Sequence, residues 1–289
     1  MHVALASCDD LLSWEVDDWP LHSALLRKGH TITTPSWTDE SVDWASFDAV
    51  VPRTTWDYAS QRERFVEWAA SVGKQTLLLN SAEWVRWNTD KRYLRDLAER
   101  GVPTVPTLWL EPGDAPDVAR ALADWGVDTG FIKPVFGATA RETLRFDSGA
   151  AGVALADAHL ARMLASEPMM LQPYLPSVEQ DGERSAIVID GAVTHAVVKR
   201  AQAGDYRVQD DHGGTDAPVE LTVAERALVD RAMGAVDEPL LYCRVDMLRG
   251  PGGEPLLIEL EAVEPSLFFR HGRAAAVRLA EGIERRITT

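Results

Sequence analysis

The chain has 289 residues, long enough for two domains or for one domain with a lid. Acidic residues outnumber basic ones 45 to 29, a net charge of −16 that argues against a nucleic-acid surface and against docking on anionic membranes. No apolar run approaches membrane-spanning length, and the two cysteines, Cys8 and Cys243, belong to no motif, as expected of inert thiols in a reducing compartment.

The stretch 1–10 lacks a basic segment and turns acidic at Asp9 and Asp10, so a cytoplasmic protein is expected. Residues 2–6 are a short apolar run ending in Ser7-Cys8-Asp9-Asp10, the pattern of a strand feeding a loop. Asp17-Asp18 and Pro20 open a helix that Gly29 closes. A second buried strand is expected over 47–51, running into Arg53-Thr54-Thr55-Trp56-Asp57-Tyr58, followed by a helix over 62–71 and a strand over 76–79. Strands alternating with helices predict a parallel sheet, and ligands of such sheets lie off the carboxyl ends of the strands. Asp9, Asp10 and the segment from Arg53 to Tyr58 then share one rim, as ligand contacts or as ordinary loop and packing residues.

Asn80-Ser81 and Asn88-Thr89-Asp90 read as caps of two helical pieces. Lys91 falls in the first turn of the second, where it opposes the helix dipole; this points to a function, although an exposed lysine also satisfies the pattern. Gly101 ends that helix, 102–106 is extended, and a domain boundary is expected near Trp87. Next come a helix over 115–125, a strand over 131–134, and the small-residue loop Val135-Phe136-Gly137-Ala138-Thr139-Ala140-Arg141. Flanked by Lys133 and Arg141, this loop can bring backbone N–H groups close to phosphate oxygens; a plain turn is the alternative, and the Walker pattern is absent. A helix over 157–165 precedes an apolar strand over 169–175 that breaks at Pro173. Strands over 183–189 and 192–199 flank Asp190-Gly191, a strong hairpin signal, and the second ends in Lys199-Arg200. The loop 204–218, with His212-Gly213-Gly214, reads as a flap or a disordered segment, and His212 as a surface residue rather than a ligand. Helices over 222–235 and 273–287 flank a final hairpin.

The chemistry concentrates in that hairpin. The run 240–248 carries Arg244 and Asp246, Arg249-Gly250-Pro251-Gly252-Gly253-Glu254 is turn chemistry, and Glu259 and Glu261 alternate onto one face of the second strand. With Arg249 paired to Glu254 across a four-residue loop, Arg244 faces Glu259 and Asp246 lies diagonal to it. An odd-length loop would put Asp246 and Glu259 on opposite faces. Two carboxylates about 4 Å apart repel by roughly 4 kcal/mol at an effective dielectric near 20. Such a patch needs a cation or water. Oxygen donors without His or Cys favour a hard ion such as Mg²⁺; a solvated face paired with Arg244 is the other reading.

Several features occur in a telling order: Lys91, the strand lysine Lys133, a small-residue flap, and the hinge Leu171-Gln172-Pro173-Tyr174-Leu175-Pro176. A hairpin ending in a basic pair follows, then His212-Gly213-Gly214, and an Asp, Glu and Glu on two strands. Over about 88–269 this series resembles the ATP-grasp ligases, especially the bacterial glutathione synthetase branch. The resemblance implies an α/β fold in which an N-terminal parallel-sheet domain, 1–87, precedes an α+β ATP-grasp domain, 88–289, with a lid over about 103–171. Arg53-Thr54-Thr55-Trp56-Asp57-Tyr58 and Trp87-Asn88-Thr89-Asp90-Lys91 are similar to the cyclo-ligases of the cycloserine pathway, which close O-ureido-D-serine into an isoxazolidinone ring.

By this resemblance, Lys91 and Lys133 hold ATP phosphates beneath Gly137, Ala138 and Thr139. Gln172, Tyr174 and Leu175 line the adenine pocket, with Glu179 on the ribose. Lys199, Arg200 and Arg244 act at phosphate or substrate, and Asp246, Glu259 and Glu261 bind Mg²⁺. Glu261 departs from the superfamily, which usually has Asn there, so its ligation is implied less firmly than that of Glu259. Asp9, Arg53, Trp56, Asp57, Glu264 and Ser266 are the substrate candidates. The implied activity is an ADP-forming ligase that activates a carboxylate as an acyl phosphate, which a nitrogen then captures. Capture within one molecule makes a cyclo-ligase; capture between two makes a peptide- or glutathione-like ligase. A nucleotide sensor that no longer turns over is the reading from a different class. The implied cofactors are ATP and Mg²⁺ and the partner is a small amino-acid-type substrate, with neither nucleic acid nor membrane; self-association stays open.

Overall fold

The computed structural model describes residues 1–9, 11, 17–137, 140–202, 204–208 and 213–289; Asp10, Ala138, Thr139 and His212 lie outside them. The chain begins with a parallel sheet in the order β2-β1-β3-β4: β1 (His2–Ser7), β2 (Thr31–Thr33), β3 (Ala49–Thr54) and β4 (Leu77–Leu78). The helices α1 (Trp19–Arg27) and α2 (Arg62–Gln75) make the crossovers. β1 and β3 are buried almost throughout, as strands covered on both faces are. β2 escapes the sequence expectation because Thr-Ile-Thr is short and half exposed. Asp18 occupies the N-cap position of α1 without making a cap hydrogen bond; its carboxylate is taken by Arg53.

Two short helices follow, α3 (Ala82–Asn88), capped by Ser81, and α4 (Tyr93–Glu99). Lys91 lies in the turn before α4, not in its first turn, and Asn88 caps nothing. The middle of the chain is β5 (Leu108–Leu110), α5 (Val118–Trp125), β6 (Thr129–Pro134), β7 (Leu144–Asp147), α6 (Ala150–Met163) and β8 (Met169–Pro173). Its strands form an antiparallel sheet in the order β5-β8-β6-β7. α6 starts earlier than expected because the alanine-rich stretch ahead of 157 already favours helix.

A third, antiparallel sheet has the order β11-β10-β9-β12-β13. After the single turn α7 (Ser177–Gln180) come β9 (Glu183–Ile189) and β10 (Ala192–Arg200), joined by Asp190 and Gly191, both at positive φ as a tight hairpin turn requires. β11 (Thr215–Pro218) and α8 (Val223–Gly234) lead into β12 (Tyr242–Arg249) and β13 (Pro255–Glu261), and α9 (Arg273–Thr288) ends the chain. Val3, Leu5, Leu21, Ile187, Leu241, Phe269 and Leu279 share one buried cluster, which packs the parallel sheet against the third sheet. Among the described residues no helix is long and apolar enough to cross a membrane.

The register of the last hairpin differs from the expected one. Arg249 pairs with Pro255, not Glu254, so the loop has odd length and is closed by Gly250 N–H donating to the Glu254 carbonyl at 2.7 Å. Alone, this would turn Asp246 and Glu259 to opposite faces. A bulge at Ile258 shifts the register between Asp246 and Met247 and restores them to one face. Asp246 now stands directly opposite Glu259, and Arg244 opposite Glu261.

Candidate active site

A cleft of about 590 Å³ takes its walls from the two antiparallel sheets and from the loops that follow β1 and β3. On its floor the carboxylate oxygens of Asp246, Glu259 and Glu261 lie within 4.8 Å of one another. Buried amides fix the strands that carry them. Asn88 donates to the Leu260 carbonyl at 2.6 Å and accepts from Ala262 N–H at 2.7 Å, and the Tyr93 hydroxyl accepts from Leu260 N–H at 2.9 Å. Asn80 donates to the carbonyls of Tyr242 and Ala262 and accepts from Leu241 N–H, stapling the start of β12 to the end of β13. These contacts satisfy backbone groups at the sheet edge, which otherwise would be buried unpaired.

Cations surround the acids. The Arg244 guanidinium donates to both Asp246 oxygens at 2.9 Å and also reaches Glu261. Lys199 bridges Glu183 and Asp246, the latter at 3.3 Å, and Lys91 pairs with Glu259. Burial pushes Asp246 up, but Arg244 and then Lys199 outweigh it and hold the carboxyl far below the usual range. Glu259 is likewise lowered against burial by Lys91 and Lys133. Glu261 goes the other way. Burial raises it to about 7, helped by Glu259 and Asp246 and opposed by Arg244. Three carboxylates gathered this closely, with oxygen donors alone, fit a hard divalent ion. Burial lowers Lys133 to about 8, against the pull of Glu259.

At the other end of the cleft, Phe131 and Tyr174 each meet Tyr206 edge-on and lie tilted to one another, with centroids 5.5–6.4 Å apart. The Arg145 guanidinium lies 5.1 Å from the Tyr174 ring and 5.6 Å from the Tyr206 ring. Glu179 accepts from Arg145 at 2.6 Å and from the Tyr174 hydroxyl. Leu175, Val178, Leu248 and Ile258 add an apolar wall. The Gln172 side chain lines the cleft and donates to Thr107 Oγ1 at 2.8 Å.

The structure gathers Lys91, Lys133, Gly137, Gln172, Tyr174, Leu175, Lys199, Arg244, Asp246, Glu259, Glu261, Trp56, Asp57, Glu264 and Ser266 around this one cleft. Four expected residues do not line it. Arg200 is exposed, because strand alternation turns it away from Lys199. Arg53 is 2 % exposed and does not line the cleft; it clamps Asp18 at 2.9 and 3.0 Å and donates to the Pro265 carbonyl at 3.0 Å. Asp9 accepts from Thr38 Oγ1 at 2.8 Å on the exposed rim. Glu179 supports Tyr174 and Arg145 from beside the cleft.

The sequence expectation omitted Glu183, Arg145, Tyr206 and a role for Tyr58. Counting outward from the Asp190-Gly191 turn brings Glu183 near Lys199, so that signal was present. Tyr206 and Tyr58 reach the cleft only through tertiary packing, and Arg145 stands behind Tyr174 and Tyr206.

The family model for the N-terminal domain of D-cycloserine synthetase DcsG matches residues 3–80, and that for the ATP-grasp domain of prokaryotic glutathione synthetase matches 126–250. The chain is 34% identical to the cycloserine biosynthesis protein DcsG of Streptomyces lavendulae, over 98% of each chain. It is 27% identical to the glutathione synthetase of Agrobacterium fabrum, over 61% of this chain and 53% of that one. The crystal structure of D-cycloserine synthetase DcsG superposes with a TM-score of 0.89 at 31% identity, covering 99% of this chain and all of the other. The Bacillus anthracis D-alanine–D-alanine ligase complexed with ATP superposes at 0.72 with 15% identity, covering 100% and 97%, a likeness of fold alone.

Proposed function

The chain belongs to the ATP-grasp ligase family that includes the cycloserine biosynthesis protein DcsG, and from that premise we propose that it activates the carboxylate of an amino-acid derivative and closes it onto the substrate's own nitrogen, as O-ureido-serine closes to cycloserine. The observation that carries this reading is the grouping of Asp246, Glu259 and Glu261 with Lys91, Lys133, Lys199 and Arg244 in one cleft.

A substrate carboxylate oxygen attacks the γ-phosphorus of ATP, the bond to the bridging oxygen breaks, and ADP leaves. The nitrogen then attacks the acyl carbon, inorganic phosphate departs with its oxygen, and the N–H proton is released; water then takes the carbamoyl group off the ring nitrogen as carbon dioxide and ammonia, which leaves cycloserine. No enzyme nucleophile is required, so positioning and charge do the work. Lys91 and Lys133 neutralise phosphate oxygens, while Lys199 and Arg244 face the charge that develops on the transferred group. Phe131, Tyr174, Leu175 and Tyr206 offer surfaces for the base, with Gln172 at its edge and Glu179 near the ribose. Asp246, Glu259 and Glu261 would hold Mg²⁺, which when bound supplies counter-charge to the phosphates.

The acyl phosphate must be shielded from water. Tyr206, in the loop after β10, meets Thr143, beyond the small-residue loop, at 3.1 Å, so two covers touch across the cleft. The proposed division, 1–87 and 88–289 with a lid over about 103–171, gives that lid the sheet of β5 to β8.

The purified protein is incubated with ATP, Mg²⁺ and O-ureido-serine. ADP released in step with cycloserine, and with no second substrate, is the expected result. ADP only after an amine is added supports joining of two molecules, and tight ATP binding without ADP from any carboxylate supports the sensor.

A further inference from the structure

The segment after β13 is held by its backbone, one carbonyl after another. Tyr242 Oη donates to the Val263 carbonyl at 2.7 Å, Trp56 Nε1 to Glu264 at 3.0 Å, Arg53 to Pro265 at 3.0 Å and Arg244 to Ser266 at 3.3 Å. With the main chain fixed this way, the Glu264 side chain is presented to the cleft at 8 % exposure, beside the Tyr58 phenol, which favours its charged form. Tyr58 is itself stacked on Phe65, with centroids 4.8 Å apart.

The other buried acids of the cleft are spoken for: Asp246 by Arg244 and Lys199, Glu259 by Lys91, Glu261 by Arg244 and Glu183 by Lys199. Among the described residues Glu264 has no salt bridge. A carboxyl this deep without a cation is costly to ionise. Burial and then Glu261 push it up to about 8, while Lys91 pulls weakly the other way. A bound cation would reverse that. In an α-amino acid the ammonium nitrogen lies only about 2.5 Å from the carboxyl carbon. A carboxylate placed for activation beside Lys91 and the acid cluster therefore carries its ammonium into the neighbourhood of Glu264, whose field already reaches Glu261, Glu259 and Lys91. Asp57 on that wall also lacks a salt bridge among the described residues, but it accepts from Trp37 Nε1 at 2.7 Å, and Lys91, Lys133, Lys199 and Arg244 repel a cation.

We propose that Glu264, positioned by Tyr58, binds the α-ammonium group of the substrate and so restricts the reaction to α-amino acids. This rests on the cleft being the carboxylate-activating site proposed above. The test compares O-ureido-serine with its desamino analogue, 3-(ureidooxy)propanoate, in the wild type, Glu264→Gln and Tyr58→Phe. With hydroxylamine added, hydroxamate formation reads activation of the carboxylate whichever nitrogen is the natural acceptor.

The wild type is expected to favour the amino acid in kcat/KM by about 100-fold or more, the penalty for an ionic partner left unpaired. Glu264→Gln should bring the two acids within a few fold by loss on the amino acid alone. Tyr58→Phe should shift the same preference by less and in the same direction, and ATP binding should be unchanged in both variants. A wild type indifferent to the ammonium overturns the proposal, as does an equal loss on both acids in Glu264→Gln. Hydroxamate from O-ureido-serine without cycloserine would overturn ring closure and leave the role of Glu264 standing.

Discussion

Replacing Glu261 by Gln separates a metal ligand from a structural acid, because the two roles predict opposite signs. Glu261 lies within 4.8 Å of two other carboxylates, and its side chain is 26 % exposed. A pair of unit charges at that spacing repels by about 3–4 kcal/mol at an effective dielectric near 20, and Arg244 is shared with Asp246. Burial acts first and this repulsion adds to it against Arg244, so that the carboxyl is raised from 4.5 to about 7, which corresponds to about 3 kcal/mol between its charged and neutral forms. A carboxyl whose pKa is raised by folding costs stability in full above the folded value, and the cost fades as pH falls toward the unfolded one. Glutamine removes the charge and keeps an oxygen for Arg244, at a loss of about 1 kcal/mol in hydrogen bonding. In EDTA at pH 8 the variant should therefore be more stable by about 2 kcal/mol, several degrees in Tm, and at pH 5 by less than about 1 kcal/mol. In Mg²⁺ and nucleotide the order should invert, because the wild type gains binding energy that the variant lacks. Thermal melts at the two pH values, with and without Mg²⁺ and ADP, read all four quantities. A variant less stable than the wild type at pH 8 in EDTA, or one that keeps the full Mg²⁺-dependent shift, would refute the reasoning.

Three further predictions follow from the same contacts. Lys133, lowered to about 8 by burial, should regain its proton when phosphates arrive, so ATP binding takes up protons above pH 8 and the KM for ATP climbs from pH 8 to 10; calorimetry in buffers of different ionisation heat measures this, and Lys133→Met should abolish the uptake. Arg53→Ala strands the buried Asp18 carboxylate and should cost about 3–5 kcal/mol in urea unfolding; a loss under about 1 kcal/mol would contradict the buried clamp. Arg200→Ala should leave kcat/KM within about twofold, since its side chain points to solvent, and a tenfold loss in steady-state assays would return it to the cleft.

Much of the fold was written in local patterns. Apolar runs alternating with helix caps mark the parallel sheet, and Asp190-Gly191 marks the β9–β10 hairpin. The acids of the last hairpin were legible as a group, yet their pairing was not. The loop is odd and the bulge at Ile258 compensates, two departures that cancel on the face and shift each partner. Side-chain destinations across long separations were also out of reach. Asp18 looked like a helix cap, and only the fold shows Arg53 claiming it. Asn80 and Asn88 also looked like caps, although both spend their amides on β12 and β13, more than a hundred residues away. Arg53 was placed on the ligand rim because its segment ends a strand, but a buried guanidinium goes wherever a carboxylate and a carbonyl await it.

Carboxylate activation is tested most directly by isotope transfer. O-ureido-serine labelled with ¹⁸O in its carboxyl group is converted with ATP and Mg²⁺, and the released phosphate is analysed by mass spectrometry. Passage through an acyl phosphate moves one labelled oxygen from each turned-over carboxyl into the phosphate. Phosphate without label, released while ADP accumulates, would contradict activation of the carboxylate in this cleft.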